Sequence, residues 1–460
     1  MDTGFIDHER IFSYLGSARP PDRSETGDIL AKARQLKGLD YAEAARLLLL
    51  EDEEILADVY AAALYAKSEI YGKRLVLFAP VYVSNLCNNE CLYCAFRKSN
   101  DLITRRTLSQ EEIRREIELL VDQGHKRVLL VSGEGLGDSA LDYSIKAIKT
   151  IYGVKRGNGE IRRININIAP LEVEGFRRLK AAGIGTYQLF QETYHQPTFR
   201  HMHPSGPKSD YLFHLTAMDR AMRGGIDDVG VGILFGLYDY RFEILALLQH
   251  IRHLEETFGV GCHTISIPRM EPATASDVSL HPPYPVADAD FRKIIAVLRL
   301  TVPYTGMILS TRENPQMRRE AFSLGISQIS AGSRTNPGGY SSKEAGEQFS
   351  LGDHRNLEEV IRDVVSHGYI PSFCTGCYRL GRTGSDFMDL AKPGLIKLYC
   401  LPNAMTSFQE YLVHYASGET RAAGEELIAA MLSDIPEAGT REVTVANLEK
   451  IKAGAQDIYL

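Results

Sequence analysis

From residue 75 onward, short runs of β-branched and aliphatic residues alternate with amphipathic stretches of roughly 10 to 18 residues. Eight such runs fall at 75–83, 127–132, 164–168, 186–190, 229–234, 264–268, 307–310 and 328–330. An apolar run followed by a helix-period segment is the pattern of a βα unit around a buried parallel sheet. The best-marked helix opens at Ser109-Gln110-Glu111-Glu112, a capping box followed by Ile113, Ile117, Leu120 and Val121, and Gly124 ends it. Eight units over about 260 residues predict an α/β fold, a closed (βα)8 TIM-type barrel. An open doubly wound sheet is the alternative, but eight alternations without a change of composition favour closure.

Residues 1–72 predict a mainly helical extension, strongest over 26–35 and 41–70, where Leu47, Leu50, Ile55, Val59, Ala62 and Leu64 fall near helical spacing. The barrel is expected over residues 73–355. One more helix over 357–367 opens a mainly helical, partly irregular C-terminal module, residues 356–460, that carries glycines and cysteines.

Composition narrows the partners. The chain has 460 residues, 44% hydrophobic and 24% charged, enough to bury a large core. Its 52 Lys and Arg against 59 Asp and Glu leave a net charge of -7, which argues against nucleic acid or an anionic membrane, since both are bound through excess cations. Met1-Asp2-Thr3-Gly4-Phe5-Ile6-Asp7 lacks the basic-then-apolar start of a signal peptide, and no apolar run approaches the ~20 residues of a membrane span. A cytoplasmic protein is expected, and there cysteines hold metal more often than they form disulfides. Six of the seven cysteines fall into two triplets; the seventh, Cys262, reads as a small buried hydrophobe.

The first triplet, Cys87-Asn88-Asn89-Glu90-Cys91-Leu92-Tyr93-Cys94, has the spacing Cys-x3-Cys-x2-Cys just after the first strand, at the mouth where barrel enzymes place their chemistry. Three thiolates cannot saturate a four-iron cluster, and the position left open can bind a reactant. A zinc site would want a fourth ligand, yet no cysteine or histidine follows within the next 30 residues. The triplet, with Tyr93 before its third cysteine, resembles the signature of the radical S-adenosylmethionine superfamily. That resemblance implies a cluster whose open iron chelates S-adenosylmethionine and, on taking one electron, cleaves it to methionine and a 5′-deoxyadenosyl radical. The backbone near Tyr93 would lie against the adenine. Ser132-Gly133-Glu134 resembles the Gly-Gly-Glu motif that meets the methionyl amino group, with Ser132 in place of the first glycine. The run Gly133-x-Gly135-x-Gly137 does not fit a dinucleotide loop. Val231-Gly232-Ile233-Leu234-Phe235-Gly236 resembles the segment along the adenine. Glu192 and Arg200, after the fourth strand, are candidates for holding the methionyl and ribosyl parts.

The second triplet is Cys374-Thr375-Gly376-Cys377 followed, 22 residues later, by Cys400. On spacing alone it could be a zinc site completed by His354 or His367, or an accessory iron–sulfur cluster. Together the two spacings resemble the tyrosine lyases that mature FeFe-hydrogenases. The stretches 185–195, 203–208 and 263–269 resemble segments shared with the thiazole-pathway tyrosine lyases, which lack the C-terminal triplet.

The resemblance implies hydrogen abstraction from the amino group of L-tyrosine, Cα–Cβ cleavage to p-cresol and dehydroglycine, and conversion of dehydroglycine to carbon monoxide and cyanide on iron. It implies two four-iron four-sulfur-type clusters, the C-terminal one carrying an additional iron, and S-adenosylmethionine. Its partners would be L-tyrosine, L-cysteine, a reducing electron donor and a hydrogenase-maturation scaffold protein that receives the iron synthon. The alternatives are a 2-iminoacetate (dehydroglycine) synthase of the thiazole type, or a two-cluster scaffold or electron carrier without turnover.

A tyrosine carboxylate calls for an arginine fork. Arg312, just past the seventh strand, is the first candidate and Arg269, just past the sixth, the second; a loop ion pair is the competing role for each. His263 precedes the sixth strand, so a barrel puts it at the opposite mouth, where the resemblance makes it a ligand of the additional iron. Two sites at opposite mouths need an internal route, so small or polar side chains are expected along the barrel axis, Asn165 and Asn167 among them. His195, His201 and His203 read as flexible loop histidines.

Overall fold

The computed structural model describes residues 3–342 and 346–460. Eight parallel strands close a barrel: β1 (Arg74–Ser84), β2 (Arg127–Ser132), β3 (Arg163–Asn167), β4 (Tyr187–Gln188), β5 (Val229–Gly232), β6 (Thr264–Ser266), β7 (Gly306–Leu309) and β8 (Gln328–Ser330). They lie in sequence order and β8 pairs back onto β1, with Val76 opposite Gln328. Each expected run carries a strand, and closure excludes the open sheet. The helix after Ser109 runs Gln110–Asp122 with both capping-box bonds formed.

The N-terminal extension is helical but interrupted. The expected helix over 41–70 is two, Tyr41–Leu47 and Glu53–Tyr71, because the Asp52 side chain accepts from the Glu54 and Ile55 amides and starts the second afresh. A ninth strand, β9 (Ile370–Ser372), extends the barrel sheet at the lower end of β1, with Arg74 opposite Ile370. The C-terminal module is therefore bound into the barrel sheet. Its helices include Gly384–Ala391, Lys397–His414, Gly418–Met431 and Ala438–Lys452.

Alternation along the strands sorts the barrel. In β3, Ile164 and Ile166 join the apolar layer under the helices, while Arg163, Asn165 and Asn167 turn inward. Arg163 donates to Asn165 Oδ1 at 3.2 Å and Thr186 Oγ1 at 3.0 Å, and Asn167 donates to the Gln188 carbonyl at 2.8 Å. Deeper bonds join Gln188 to Thr264 and Arg127 to Gln328. Gly230 and Gly306 face these same side chains, where a Cβ would meet Thr264 Oγ1 or Gln328 Nε2. The axis is polar and lined in part by small residues, unlike the packed apolar interior usual for this fold. No helix among the described residues is long and apolar enough to cross a membrane.

Candidate active site

A cavity opens at the C-terminal ends of the strands and reaches down to Phe78, Leu129, Gln188, Ile308 and Ser330. All three cysteines of the first triplet line it, with Tyr93, Ser132, Gly133, Glu134, Glu192, Lys208 and Arg312. The cysteine loop is clamped from two sides. Gly133 and Gly135 lie so close to the Leu86–Cys87 backbone that a Cβ on either would sit 2.4 Å from a Leu86 main-chain atom. That close approach explains the glycines without any phosphate-binding role. The Asn88 amide donates to the Glu134 carbonyl, and Asn89 Nδ2 donates to the Glu134 carboxylate at 2.6 Å. From the other side, the Glu90 amide donates to the Ser205 carbonyl, the Leu92 amide to Met202, and the Lys208 amide to Asn89 Oδ1.

Burial raises the thiols of all three first-triplet cysteines, Cys94 to about 11 with help from Cys87. A metal would therefore displace their protons on binding. Cys94 Sγ accepts from the Phe96 amide at 3.4 Å and from Gln348 Nε2 at 3.6 Å. Among the described residues no three His, Cys, Asp or Glu side chains converge tightly enough to hold a single metal ion. The thiols nonetheless interact electrostatically and face one cavity, which fits a cluster that spreads its ligands over several irons and does not fit mononuclear zinc.

Glu192 has a left-handed backbone, φ +67°, which costs a non-glycine residue about 1–3 kcal/mol and persists only when the surroundings hold it. Its carboxylate accepts from Lys208 Nζ at 2.9 Å. Lys208, Asn89 and Gln348 were not singled out by sequence reasoning; only the stretch 203–208 gave a signal for the first. Tyr93 OH hydrogen-bonds His203 Nε2 at 2.8 Å, and His203 Nδ1 reaches the Phe199 carbonyl. His203 is buried and His195 stacks on Tyr238 at 3.8 Å, so neither is the flexible loop histidine expected.

The two arginine candidates separate. Arg312 lines the cavity with its guanidinium over the Phe349 ring, and no ion-pair partner reaches it among the described residues. Burial lowers its pKa, opposed by Tyr82, Glu192 and Glu271. Arg269 instead donates to Glu313 through two nitrogens and to Asp288 at 2.7 Å, and does not line the cavity. The loop ion pair is its role. Arg200 is exposed on the helix Gln196–Met202 and does not line the cavity.

The second triplet sits at the opposite end. β9 delivers Cys374 beside Arg163, whose Nη1 donates to the Cys374 carbonyl at 3.5 Å; Cys400 comes from the first turn of the helix Lys397–His414. Burial works to raise the Cys374 thiol, but Arg74, Arg163 and Arg127 bring it below its ordinary value, while burial pushes Cys400 up to about 12. Arg382 donates to Cys377 Sγ at 3.7 Å. His263 is buried against Phe387, its Nδ1 3.4 Å from Asp228 and without a hydrogen bond; burial lowers its pKa to about 4. The same three arginines surround His263 and Cys374. His354 is exposed and His367 Nδ1 bonds the Asp363 carbonyl on its own helix, so neither completes a zinc site with this triplet.

The Radical SAM superfamily matches residues 81–251, and the Biotin and Thiamin Synthesis associated domain matches residues 266–370. A 2-iminoacetate synthase from Salmonella typhimurium is 33% identical over 303 residues, 65% of this chain and 78% of the relative. The crystal structure of HydG, a maturase of the FeFe-hydrogenase, is 51% identical, covers 100% of both chains and has a TM-score of 0.96. The X-ray structure of the maturase HydG from Carboxydothermus hydrogenoformans is 39% identical over 97% of this chain and 99% of that one, TM-score 0.84. The likeness to the two maturase structures extends over 100% and 97% of the chain, and the chain belongs to the HydG family of radical S-adenosylmethionine lyases.

Proposed function

We propose that this protein cleaves L-tyrosine at the first site and converts the two-carbon fragment at the second into carbon monoxide and cyanide carried by iron, for assembly of an FeFe-hydrogenase. The observation that carries this reading is the pairing of two thiol triplets at opposite ends of one barrel, in a chain alike over its full length to HydG maturases.

Cys87, Cys91 and Cys94 would hold a four-iron cluster, with Glu134, Glu192 and Lys208 around S-adenosylmethionine. When bound, cluster and cofactor supply a 5′-deoxyadenosyl radical. Arg312 binds the tyrosine carboxylate through its fork, the polar wall of Ser310, Thr311 and Thr335 receives the rest of the amino-acid end, and the apolar wall of Phe78, Leu129 and Ile308 takes the ring. Atoms and electrons balance: tyrosine would lose one hydrogen atom to the radical and split into dehydroglycine and a cresyl radical, which takes one electron from the donor and one proton to become p-cresol, and dehydroglycine gives carbon monoxide, hydrogen cyanide and water. The polar axis through Asn167, Gln188 and Thr264 offers the charged fragment hydrogen bonds on its way to Arg127 and Arg163. Cys374, Cys377 and Cys400 would hold the second cluster, and His263, with its free Nδ1 in that region, the additional iron. L-Cysteine, an electron donor and a scaffold protein complete the reading.

Anaerobically reconstituted protein given reductant, S-adenosylmethionine and L-tyrosine tests it. p-Cresol with carbon monoxide is expected. p-Cresol alone from fully iron-loaded protein would move the chain to the 2-iminoacetate synthase reading, and cleavage of the cofactor without p-cresol would remove tyrosine as substrate.

A further inference from the structure

The turn after β4 carries Glu192 in its left-handed conformation; its carbonyl accepts from the Leu234 amide at 2.9 Å, and Lys208 bonds the tip of its side chain. The residues that follow it, Thr193 and Tyr194, are held from behind. Glu243, in the first turn of the helix Tyr240–Phe258, is buried under the turn and accepts from the Thr193 hydroxyl on one carboxylate oxygen and from the Tyr194 amide at 2.7 Å on the other. The Tyr194 carbonyl in turn accepts from Tyr211 OH at 2.8 Å, and Tyr194 OH pairs with His250 Nδ1 at 2.9 Å.

The N-terminal helix His8–Ser17 closes the back of this arrangement. His8 Nε2 bonds the Tyr194 carbonyl at 3.2 Å, and the His8 ring lies parallel to His195 at 5.6 Å and edge-on to Phe242 at 5.0 Å. The helix is anchored by the Asp7 amide, which donates to Gln249 Oε1 at 2.8 Å, and by Phe5 stacked on His253 at 3.8 Å. Gln249, His250 and His253 belong to the same helix as Glu243, so the extension and the clamp share one support.

We infer that Glu243, backed by the N-terminal arm at His8, is a positioning residue that holds Glu192 in the cavity to receive S-adenosylmethionine. The inference rests on the proposed role of Glu192 and extends it to groups that never touch the cofactor. It assigns the N-terminal extension a part in cofactor binding. A carboxylate that gathers the hydroxyl of residue 193 and the amide of residue 194 leaves residue 192 little freedom. Without it, the turn relaxes and Glu192 withdraws from its left-handed conformation.

The test measures retention of S-adenosylmethionine by equilibrium dialysis on anaerobically reconstituted protein, with iron content and melting temperature recorded beside it. Glu243→Ala is expected to weaken retention about tenfold, as Glu192→Gln does, and the double variant no further than either single one. Glu243→Gln keeps one acceptor oxygen and is expected to recover part of the loss. His8→Ala, at the half-exposed edge, is expected to weaken retention two- to threefold with iron content and melting unchanged, which keeps the test open if Glu243→Ala fails to fold. Wild-type retention in Glu243→Ala or His8→Ala beside a weakened Glu192→Gln would overturn the inference, as would additive losses. Wild-type retention in Glu192→Gln would instead remove the reading on which it rests.

Discussion

Arg312 stacks on Phe349 inside a cavity whose other cation, Lys208, is already paired with Glu192. An arginine held by ring contact, with no carboxylate paired to it among the described residues, is prepared for one from outside. Glutamine at 312 is expected to raise the KM for tyrosine on the order of 10- to 100-fold, the loss of one charge-assisted hydrogen-bond pair, and lysine to recover only part of it. Cleavage of S-adenosylmethionine measured without tyrosine should persist in both variants; its abolition in Arg312→Gln would place the residue with the cofactor instead. Arg269 shows what the sequence could not separate. Both arginines follow strand ends on the same rim, and only the packing of Glu313 and Asp288 around Arg269 distinguishes an ion pair from a binding group. Glu192 was legible from its motif, while its strained backbone and its support by Glu243 were not, because residue 243 reaches it from 51 positions away.

At the scale of elements, the cysteine loop and the C-terminal module are each held by a compact set of bonds. Glu410, on the helix Lys397–His414, is buried and accepts from Arg162 at 2.9 and 2.8 Å and from Lys126 at 2.8 Å, joining the module to the barrel floor. Burial works to raise its pKa, but Arg162 and Lys126 bring it down to about 2. Burial also pushes Lys126 down in spite of Glu410, whereas Arg162, against burial, is held above its ordinary value by Glu410. A carboxyl depressed in the folded state contributes stability that is present above its unfolded value, about 4.5, and is lost as pH falls toward 2. Glu410→Gln leaves the buried Lys126 without an ion-pair partner and Arg162 with only its longer contacts to Glu160 at 3.3 Å and Asp457 at 3.4 Å, and is expected to cost about 3 kcal/mol at neutral pH, read from denaturant unfolding, and to remove that share of the acid dependence. An unchanged midpoint and m-value would refute the module's reliance on this bond set. The strand β9 was not legible because it is three residues long and contains Pro371, a residue that argues against a strand unless β1 is already there to receive it. The eight barrel strands were legible because their apolar runs and intervening helices repeat without interruption.

Over the whole molecule, the cysteine spacings marked two triplets, and the closed parallel barrel sets them apart: the first follows the C-terminal end of β1, and the second follows β9, which pairs with the N-terminal end of β1. What lies between is a polar axis that no spacing motif encodes, since Arg127, Arg163, Gln188 and Gln328 meet only when the sheet closes. The central claim is that the two ends act in series on one substrate. The most direct measurement compares p-cresol and carbon monoxide from the same anaerobic reaction in the wild-type protein and in Cys377→Ala. Cys377 lies outside the first cavity, so the variant is expected to form p-cresol within about twofold of wild type and no carbon monoxide. Carbon monoxide at the wild-type level from Cys377→Ala would contradict the account, as would loss of p-cresol from a variant that still carries its first cluster.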